Sequence, residues 1–215
     1  MKIRETNAAF TLVEMLTVMA VIAVLASLVV SVNAFAHKKA ALVRAEGEIK
    51  TMIAASEAYK ADFGSYPQGD TGDASAQSPT VLVCPVINGN PTDKIYQKAC
   101  QVLYKALSGD VLANGKATEK SYCEFRPDQL RKSPSGEILH IQDPFGNSYG
   151  YSTTAAVAEE TFRQRLEKSP LAKRLSPYQV GGFNTTYDLW STGGVISNDS
   201  GKELDDERKR WVKNW

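Results

Sequence analysis

The sequence lacks the residue patterns on which most enzymes depend. Only two of its 215 residues are histidines, His37 and His140, and neither stands in a recognisable catalytic motif. GxSxG, HExxH, phosphate-loop and dinucleotide-binding patterns are all absent from the chain. Because catalysis needs a nucleophile with its base, or a metal cluster, the sequence offers no support for an enzyme. We expect His140 to be a partly buried residue of a strand.

Net charge is also nearly absent. Twenty-five Lys and Arg residues oppose 24 Asp and Glu residues, so the chain has no strong overall field of the kind that draws proteins to nucleic acid. We therefore expect no nucleic-acid partner.

Cysteine is scarce, and its spacing excludes the common metal and redox motifs. Cys84, Cys100 and Cys123 include no CxxC pair, which argues against a zinc site or a thioredoxin-type site. If these residues lie outside the cytoplasm, two of the three can form a disulfide and leave one thiol over. The alternative is three buried or free thiols.

One long apolar segment dominates what is present. Residues 10–36 contain a single charged residue, Glu14, and only Thr17, Ser27 and Ser31 are polar between positions 15 and 32. At about 1.5 Å rise per residue, a helix of this length crosses most of a hydrocarbon layer of roughly 30 Å. The pattern predicts a membrane helix.

The nine residues before this segment do not form an ordinary secretory signal. They carry Lys2 and Arg4 against Glu5, but the apolar segment exceeds the roughly 7–15 residues of a cleavable signal and continues directly into a further helical pattern. A cut before the segment would keep it in the mature protein.

Residues 10–14, Phe-Thr-Leu-Val-Glu, follow a short basic leader and precede the apolar segment. This arrangement resembles the class III signal of type IV pilins and type II secretion pseudopilins. The resemblance implies that a prepilin peptidase cuts between Ala9 and Phe10 and methylates the new amino terminus of Phe10. The family usually has Gly before the cut, where this chain has Ala9.

The charge of Glu14 needs a partner, because inserting a carboxylate into a membrane costs about 2.5–3.5 kcal/mol on insertion scales. Cleavage creates an ammonium at Phe10, which one subunit can offer to Glu14 of a neighbour in a filament of staggered helices. The family resemblance implies the same assembly role for Glu14. The alternative is a carboxylate of a plain anchor that reaches the headgroups.

The pattern beyond residue 36 predicts that the helix continues with one apolar face, without a Pro-rich or Gly-rich linker. Apolar residues recur at spacings of three, four or their multiples up to Phe63, and Gly64 is a typical helix stop. The residues of this face are Leu42, Ala45, Ile49, Met52, Ile53, Tyr59 and Phe63. We expect the face to pack against the rest of the domain.

The remaining chain predicts short elements. Residues 95–107 favour a second helix capped by Asp93, residues 121–125 and 137–141 favour strands, and residues 68–92 favour a loop. Residues 154–174 are charged and compatible with a helix inserted between two strands.

Two later stretches resemble major pseudopilins of type II secretion. Residues 142–151 match their Asp-Pro-aromatic-Gly turn and the strand after it, and residues 182–194 match their last strand with its Tyr-Asp signature. The resemblance implies a candidate calcium site in the loop that follows, with Asn198, Asp199, Asp205 and Asp206 as oxygen ligands. Val195 stands where the family has its first Asp. A solvated acidic loop is the alternative, and the tryptophans Trp211 and Trp215 should cover the sheet.

These features together predict an α+β protein of the type IV pilin-like fold. We divide it into a leader (1–9), a transmembrane and filament-core helix (10–36), an amphipathic continuation (37–64) and a periplasmic globular domain (65–215). The long helix should pack on a small antiparallel sheet with short extra helices.

The functional hypothesis is a pseudopilin of a type II secretion-like system in the bacterial inner membrane, single-pass, with its amino terminus in the cytoplasm. Its expected partners are copies of itself, other pseudopilins, the prepilin peptidase and the inner-membrane assembly platform. One alternative is a type IV pilin of a surface fibre for adhesion, motility or DNA uptake, although such pilins often close a C-terminal loop with two cysteines and no Cys follows Cys123. The other is a membrane-tethered binding domain that does not polymerise.

Overall fold

A computed structural model describes residues 11–68, 91–174, 182–196 and 205–215. The chain divides into two compact units after Ala40, and each unit is described by itself. The α+β class is confirmed, since a long N-terminal helix, shorter helices and small antiparallel sheets make up the fold.

Helix α1, Leu12–Phe63, begins in the first unit. Its apolar residues there are exposed to solvent, from Leu12 at 81% to Leu28 at 60%. Across the described part of the chain, no helix combines the length and the hydropathy of a bilayer-crossing segment.

Within the second unit, α1 presents the predicted apolar face. Ala45, Ile49, Met52 and Ala55 are buried, whereas Phe63 at the helix end remains 58% exposed. The helix stops where predicted, because Gly64 has φ +77° and its N–H donates to the Lys60 carbonyl at 2.7 Å. A positive φ of this kind suits glycine.

Helix α2, Lys94–Ser108, confirms the second predicted helix and buries one face in the same core. Asp93 is its N-cap residue by position, but its side chain makes no capping hydrogen bond.

The hydrophobic core also contains residues of the strands and of the C-terminal region. Its buried members outside α1 and α2 are Ala113, Ile138, Ile141, Tyr149, Tyr151, Tyr187, Leu189, Trp190 and Trp211.

Two small antiparallel sheets are described. Strand β1 (Leu130–Lys132) pairs with β2 (Ile138–Ile141), and β3 (Gly150–Ser152), β4 (Asp188–Ser191) and β5 (Val212–Lys213) form a second sheet in the order β3-β4-β5. Gly150 lies opposite Trp190, and a Cβ at this position would come within 1.9 Å of the indole. The absence of a side chain at Gly150 therefore lets Trp190 cross over β3.

The predicted strand at residues 121–125 is wrong, whereas the one at 137–141 is confirmed as β2. The N–H groups of Tyr122 and Cys123 both donate to the Leu107 carbonyl, at 2.8 and 3.0 Å. These two N–H groups thus provide hydrogen bonds to a carbonyl at the C-terminal end of α2, where carbonyls lack helical partners. The ring of Tyr122 packs edge-on against Tyr59, with centroids 5.5 Å apart, instead of facing a sheet.

Helix α3, Thr154–Lys168, connects β3 to β4, which confirms the helical insertion predicted between two strands. A short helix, α4 (Asp205–Arg208), precedes β5. The two C-terminal tryptophans contact the sheet as predicted. Trp211 stacks on Trp190 with centroids 6.3 Å apart, and Trp215 meets Trp190 edge-on at 6.0 Å.

Candidate assembly segment and its supporting networks

Glu14 lies in the first turn of α1 and forms a reciprocal cap with Thr11. The backbone N–H and the hydroxyl of Thr11 both donate to Glu14 Oε2 at 2.8 Å, and the Glu14 N–H donates to Thr11 Oγ1 at 3.3 Å. Thr and Glu at this spacing satisfy N–H groups that an α-helix leaves without partners at its start. Thr11 was not among the partners expected for Glu14, which were the Phe10 ammonium of a neighbour or the headgroups, although the Thr-x-x-Glu spacing is a known helix-start signal.

The predicted processing residues Ala9 and Phe10, including the methylation position, lie outside the described residues. The cleavage and methylation therefore stay predictions.

The candidate calcium ligands also stay predictions. Asn198 and Asp199 lie outside the described residues, and Asp205 and Asp206 begin α4 without described side chains. In the described part of the chain, no group of three or more His, Cys, Asp or Glu side chains is placed to hold a metal ion. Thermal unfolding with and without a chelator would test the calcium site.

The described cysteines are free thiols in different settings. Cys100 is fully buried, and its Sγ lies 3.5 Å from the Ile141 carbonyl oxygen. Burial raises the pKa of this thiol to about 12. Cys123 is half-buried, and Cys84 lies outside the described residues. A disulfide that involves Cys84 remains a prediction.

His140 is a buried residue of β2, as predicted, with 6% of its surface exposed. Burial, together with the nearby Arg131, lowers the pKa of its imidazole to about 4. Arg131 is its cross-strand partner on β1. His140 is therefore neutral near pH 7.

A network centred on Glu48 joins α1 to two other parts of the second unit. Glu48 Oε1 accepts from Arg44 Nε at 2.8 Å and from an Arg126 guanidinium nitrogen at 3.0 Å. Its Oε2 accepts from the Tyr149 hydroxyl at 2.7 Å. Asp128 contacts both arginines from the other side. The i,i+4 spacing of Arg44 and Glu48 was the only sequence signal for this network.

Asp143 stabilises the Asp-Pro turn, which is one of the two stretches that resemble major pseudopilins. Its Oδ1 accepts from the N–H groups of Phe145 and Asn147 at 2.9 and 2.8 Å, and its Oδ2 accepts from the Ser191 hydroxyl of β4. Burial raises the pKa of Asp143. The Asp-Pro motif thus closes a turn, and the hydrogen bond from Ser191 links this turn to β4.

Asp188, in the Tyr-Asp signature, supports a second loop in the same manner. Its carboxylate accepts from the N–H groups of Phe183 and Asn184 at 2.9 and 2.8 Å. The side chain is fully buried, and this burial raises its pKa to about 6. Asp143 and Asp188 therefore both stabilise the backbone of their loops by accepting hydrogen bonds from its N–H groups, and this structural role accounts for an Asp in each motif.

Comparison with known proteins finds one matching family model and one curated relative. Residues 6–30 match the family model "Prokaryotic N-terminal methylation motif". The chain is 33% identical over 96 residues to "Type II secretion system core protein G" of Pseudomonas aeruginosa, which covers 44% of this chain and 62% of that protein. The match thus spans less than two thirds of the relative's length. No solved structure matches the chain.

Proposed function

We propose that the chain is a pseudopilin of the type IV pilin-like family, because residues 6–30 match the prokaryotic N-terminal methylation motif and 96 residues are 33% identical to a type II secretion system core protein G. It is synthesised as a precursor, cleaved between Ala9 and Phe10 by a prepilin peptidase, methylated at Phe10 and polymerised into a periplasmic filament. The role is structural, and no catalytic step is assigned to the chain.

The observation that carries the proposal is the motif at the start of α1 followed by exposed apolar side chains. Residues 12–28 of α1 present large hydrophobic groups to solvent, among them Val13 at 68% and Met19 at 68%. Exposed apolar surface on this scale marks a site of association with a membrane or another protein. We propose that this apolar surface contacts lipid before assembly and neighbouring helices after assembly.

Glu14 is the proposed assembly residue. In the single chain its carboxylate has the Thr11 hydroxyl and N–H as partners, so it need not enter an apolar environment without hydrogen bonds. Cleavage frees the ammonium of Phe10. We propose that, in the assembled filament, this ammonium on one subunit pairs with Glu14 on the next. The attraction between the two charges is strong where water is excluded.

The proposed location is the bacterial inner membrane, with the leader in the cytoplasm and the C-terminal unit in the periplasm. Residues 10–36 are the proposed single anchor. Assembly would involve other pseudopilins and an inner-membrane platform.

The assignment to a secretion filament over a surface pilus is supported by the relative's description as a type II secretion core protein. The Asp143 turn and the Asp188 loop occupy the two stretches that resemble major pseudopilins.

Filament formation tests the proposal. The chain is expressed with a prepilin peptidase and a type II secretion assembly platform, and the periplasmic and sheared fractions are examined by electron microscopy with antibody labelling. We expect labelled filaments that require the peptidase. A chain that stays monomeric in the membrane although its leader has been removed would contradict the polymerising role and favour a tethered binding domain.

A further inference from the structure

The second half of α3 and the turn after it form a compact concentration of positive charge, which we call the basic segment (residues 163–174). It contains five basic residues and a single acidic one, Glu167, so its net charge is +4, whereas the whole chain carries +1. The remaining residues together therefore carry −3. The basic residues are Arg163, Arg165, Lys168, Lys173 and Arg174.

Specific contacts fix this segment against the body of α3. Glu159 accepts from Arg174 at 2.8 Å and pairs with Arg163 at 3.5 Å, and the Arg174 guanidinium lies 5.2 Å from the centre of the Phe162 ring. The Ser169 N–H donates the last helical hydrogen bond to the Arg165 carbonyl at 2.8 Å, and the extended backbone of Ser169 ends the helix. The turn is therefore folded back on α3, and Arg174 has a defined place against that helix.

The other three cations of the segment have no such internal role. Arg165, Lys168 and Lys173 are exposed and form no ion pair with any residue that the structure describes. Arg165 and Lys168 are three positions apart on α3, so they are neighbours on its surface.

Two leucines of the basic segment are exposed as well. Leu171, in the turn, is 89% exposed, and Leu166, on α3, is 41% exposed. Exposed cations and exposed leucines within one short segment suit the surface of an anionic membrane, where the cations meet lipid phosphates and the apolar groups enter the boundary with the acyl chains.

We propose that the basic segment docks on an anionic lipid surface. Arg165, Lys168 and Lys173 bind headgroup phosphates, and Leu171 inserts beside them. Charge complementarity selects the anionic surface, and the exposed leucines favour lipid over an acidic protein. Docking does not require that the chain polymerises.

The full chain is reconstituted into vesicles of phosphatidylcholine alone or of phosphatidylcholine with phosphatidylglycerol, and amide hydrogen exchange is followed by mass spectrometry. Insertion of the apolar N-terminal residues is common to both vesicle types. We expect peptides that cover residues 163–174 to exchange at least about threefold more slowly on the anionic vesicles, and added salt to remove the difference. Equal exchange on both vesicle types would overturn the proposal.

Two double variants separate this docking from a general charge effect. R165Q/K168Q should lower the segment's affinity for anionic vesicles roughly thirtyfold and abolish the slowing. The control K98Q/K116Q removes two exposed cations elsewhere on the same unit and should retain the slowing. Unchanged exchange in β2 (Ile138–Ile141), which neither variant alters, confirms that each variant is folded. Slowing that persists in R165Q/K168Q, or that occurs with poly-glutamate but not with vesicles, would overturn the lipid assignment.

Discussion

The Tyr149 hydroxyl donates a 2.7 Å hydrogen bond to Oε2 of Glu48, a residue 101 positions earlier in the chain. Glu48 lies on α1 and Tyr149 directly precedes β3, so the bond ties the long helix to the three-stranded sheet. The same carboxylate accepts from Arg44 and Arg126. One side chain thus connects three parts of the second unit.

Tyr149→Phe should destabilise the second unit by about 1.5–3 kcal/mol, because it removes a hydrogen bond to a charged group. Glu48→Gln should cost more, since two arginines lose their charged partner. Unfolding in urea is followed by tryptophan fluorescence, and all three tryptophans lie in this unit. Glu46→Gln is the control, because its exposed pair with Lys50 is worth at most about 1 kcal/mol. Equal midpoints for Tyr149→Phe and wild type would contradict the role given to the Tyr149 bond.

Two glycines should respond to alanine in opposite directions. Gly150→Ala places a Cβ against the Trp190 ring, and the buried indole has to move at a cost of about 1–3 kcal/mol. Gly47, within α1, has open space at its Cβ position, so Gly47→Ala should stabilise the unit by about 0.5–1 kcal/mol through its higher helix propensity. The same urea unfolding measures both variants. A stabilising Gly150→Ala would mean that Trp190 does not cross β3.

Asp188 and His140 should give opposite pH dependences. The pKa of Asp188 is raised from 3.8 to about 6 by burial, so between these values the native state holds a proton that the unfolded chain has lost. Stability from Asp188 therefore rises as pH falls from 6 to 4. The pKa of His140 is lowered from 6.5 to about 4, so the unfolded chain holds the extra proton. Stability from His140 therefore falls as pH falls from 6.5 to 4.

Variants at these two positions separate the effects. Relative to wild type, Asp188→Asn should lose stability on acidification from pH 6 to 4, by about 1 kcal/mol per pH unit. His140→Gln should gain stability over the same range. Urea midpoints measured across this range test both variants, and three parallel curves would show that neither group is buried as described.

Glu14→Gln should leave the precursor in the membrane fraction and abolish its incorporation into filaments. The change keeps a hydrogen-bonding side chain for Thr11 but removes the charge that we assign to pairing with Phe10 of the next subunit. Ser27→Ala changes another polar residue of the same helix, whose hydroxyl donates to the Val24 carbonyl at 2.8 Å, and it should still assemble. Filaments of normal length and number from Glu14→Gln would refute the charge-pairing account.

Helices α1, α2 and α3 were predictable from the sequence because their residue patterns are local, whereas the short α4 lies where an acidic loop was expected. α1 ends at Phe63, directly before Gly64, and α2 buries the predicted face. The Asp143 turn carries its own Pro and Gly signals. The Glu48 network was not predictable, since its partners Arg126 and Tyr149 are distant in sequence. Residues 121–125 have strand-forming composition, but the N–H groups of Tyr122 and Cys123 donate to the Leu107 carbonyl at the end of α2. Tertiary contacts thus overrode local preference at that point.

The mature amino terminus tests the central claim most directly. The chain is expressed with and without a prepilin peptidase, purified from membranes, and its N-terminal peptide is identified by mass spectrometry. With the peptidase, the account predicts a protein that begins at Phe10 and carries one added methyl group on its amine; without it, the leader from Met1 to Ala9 remains. A chain that stays intact in the presence of an active peptidase, or is cut after Ala36, would contradict the account.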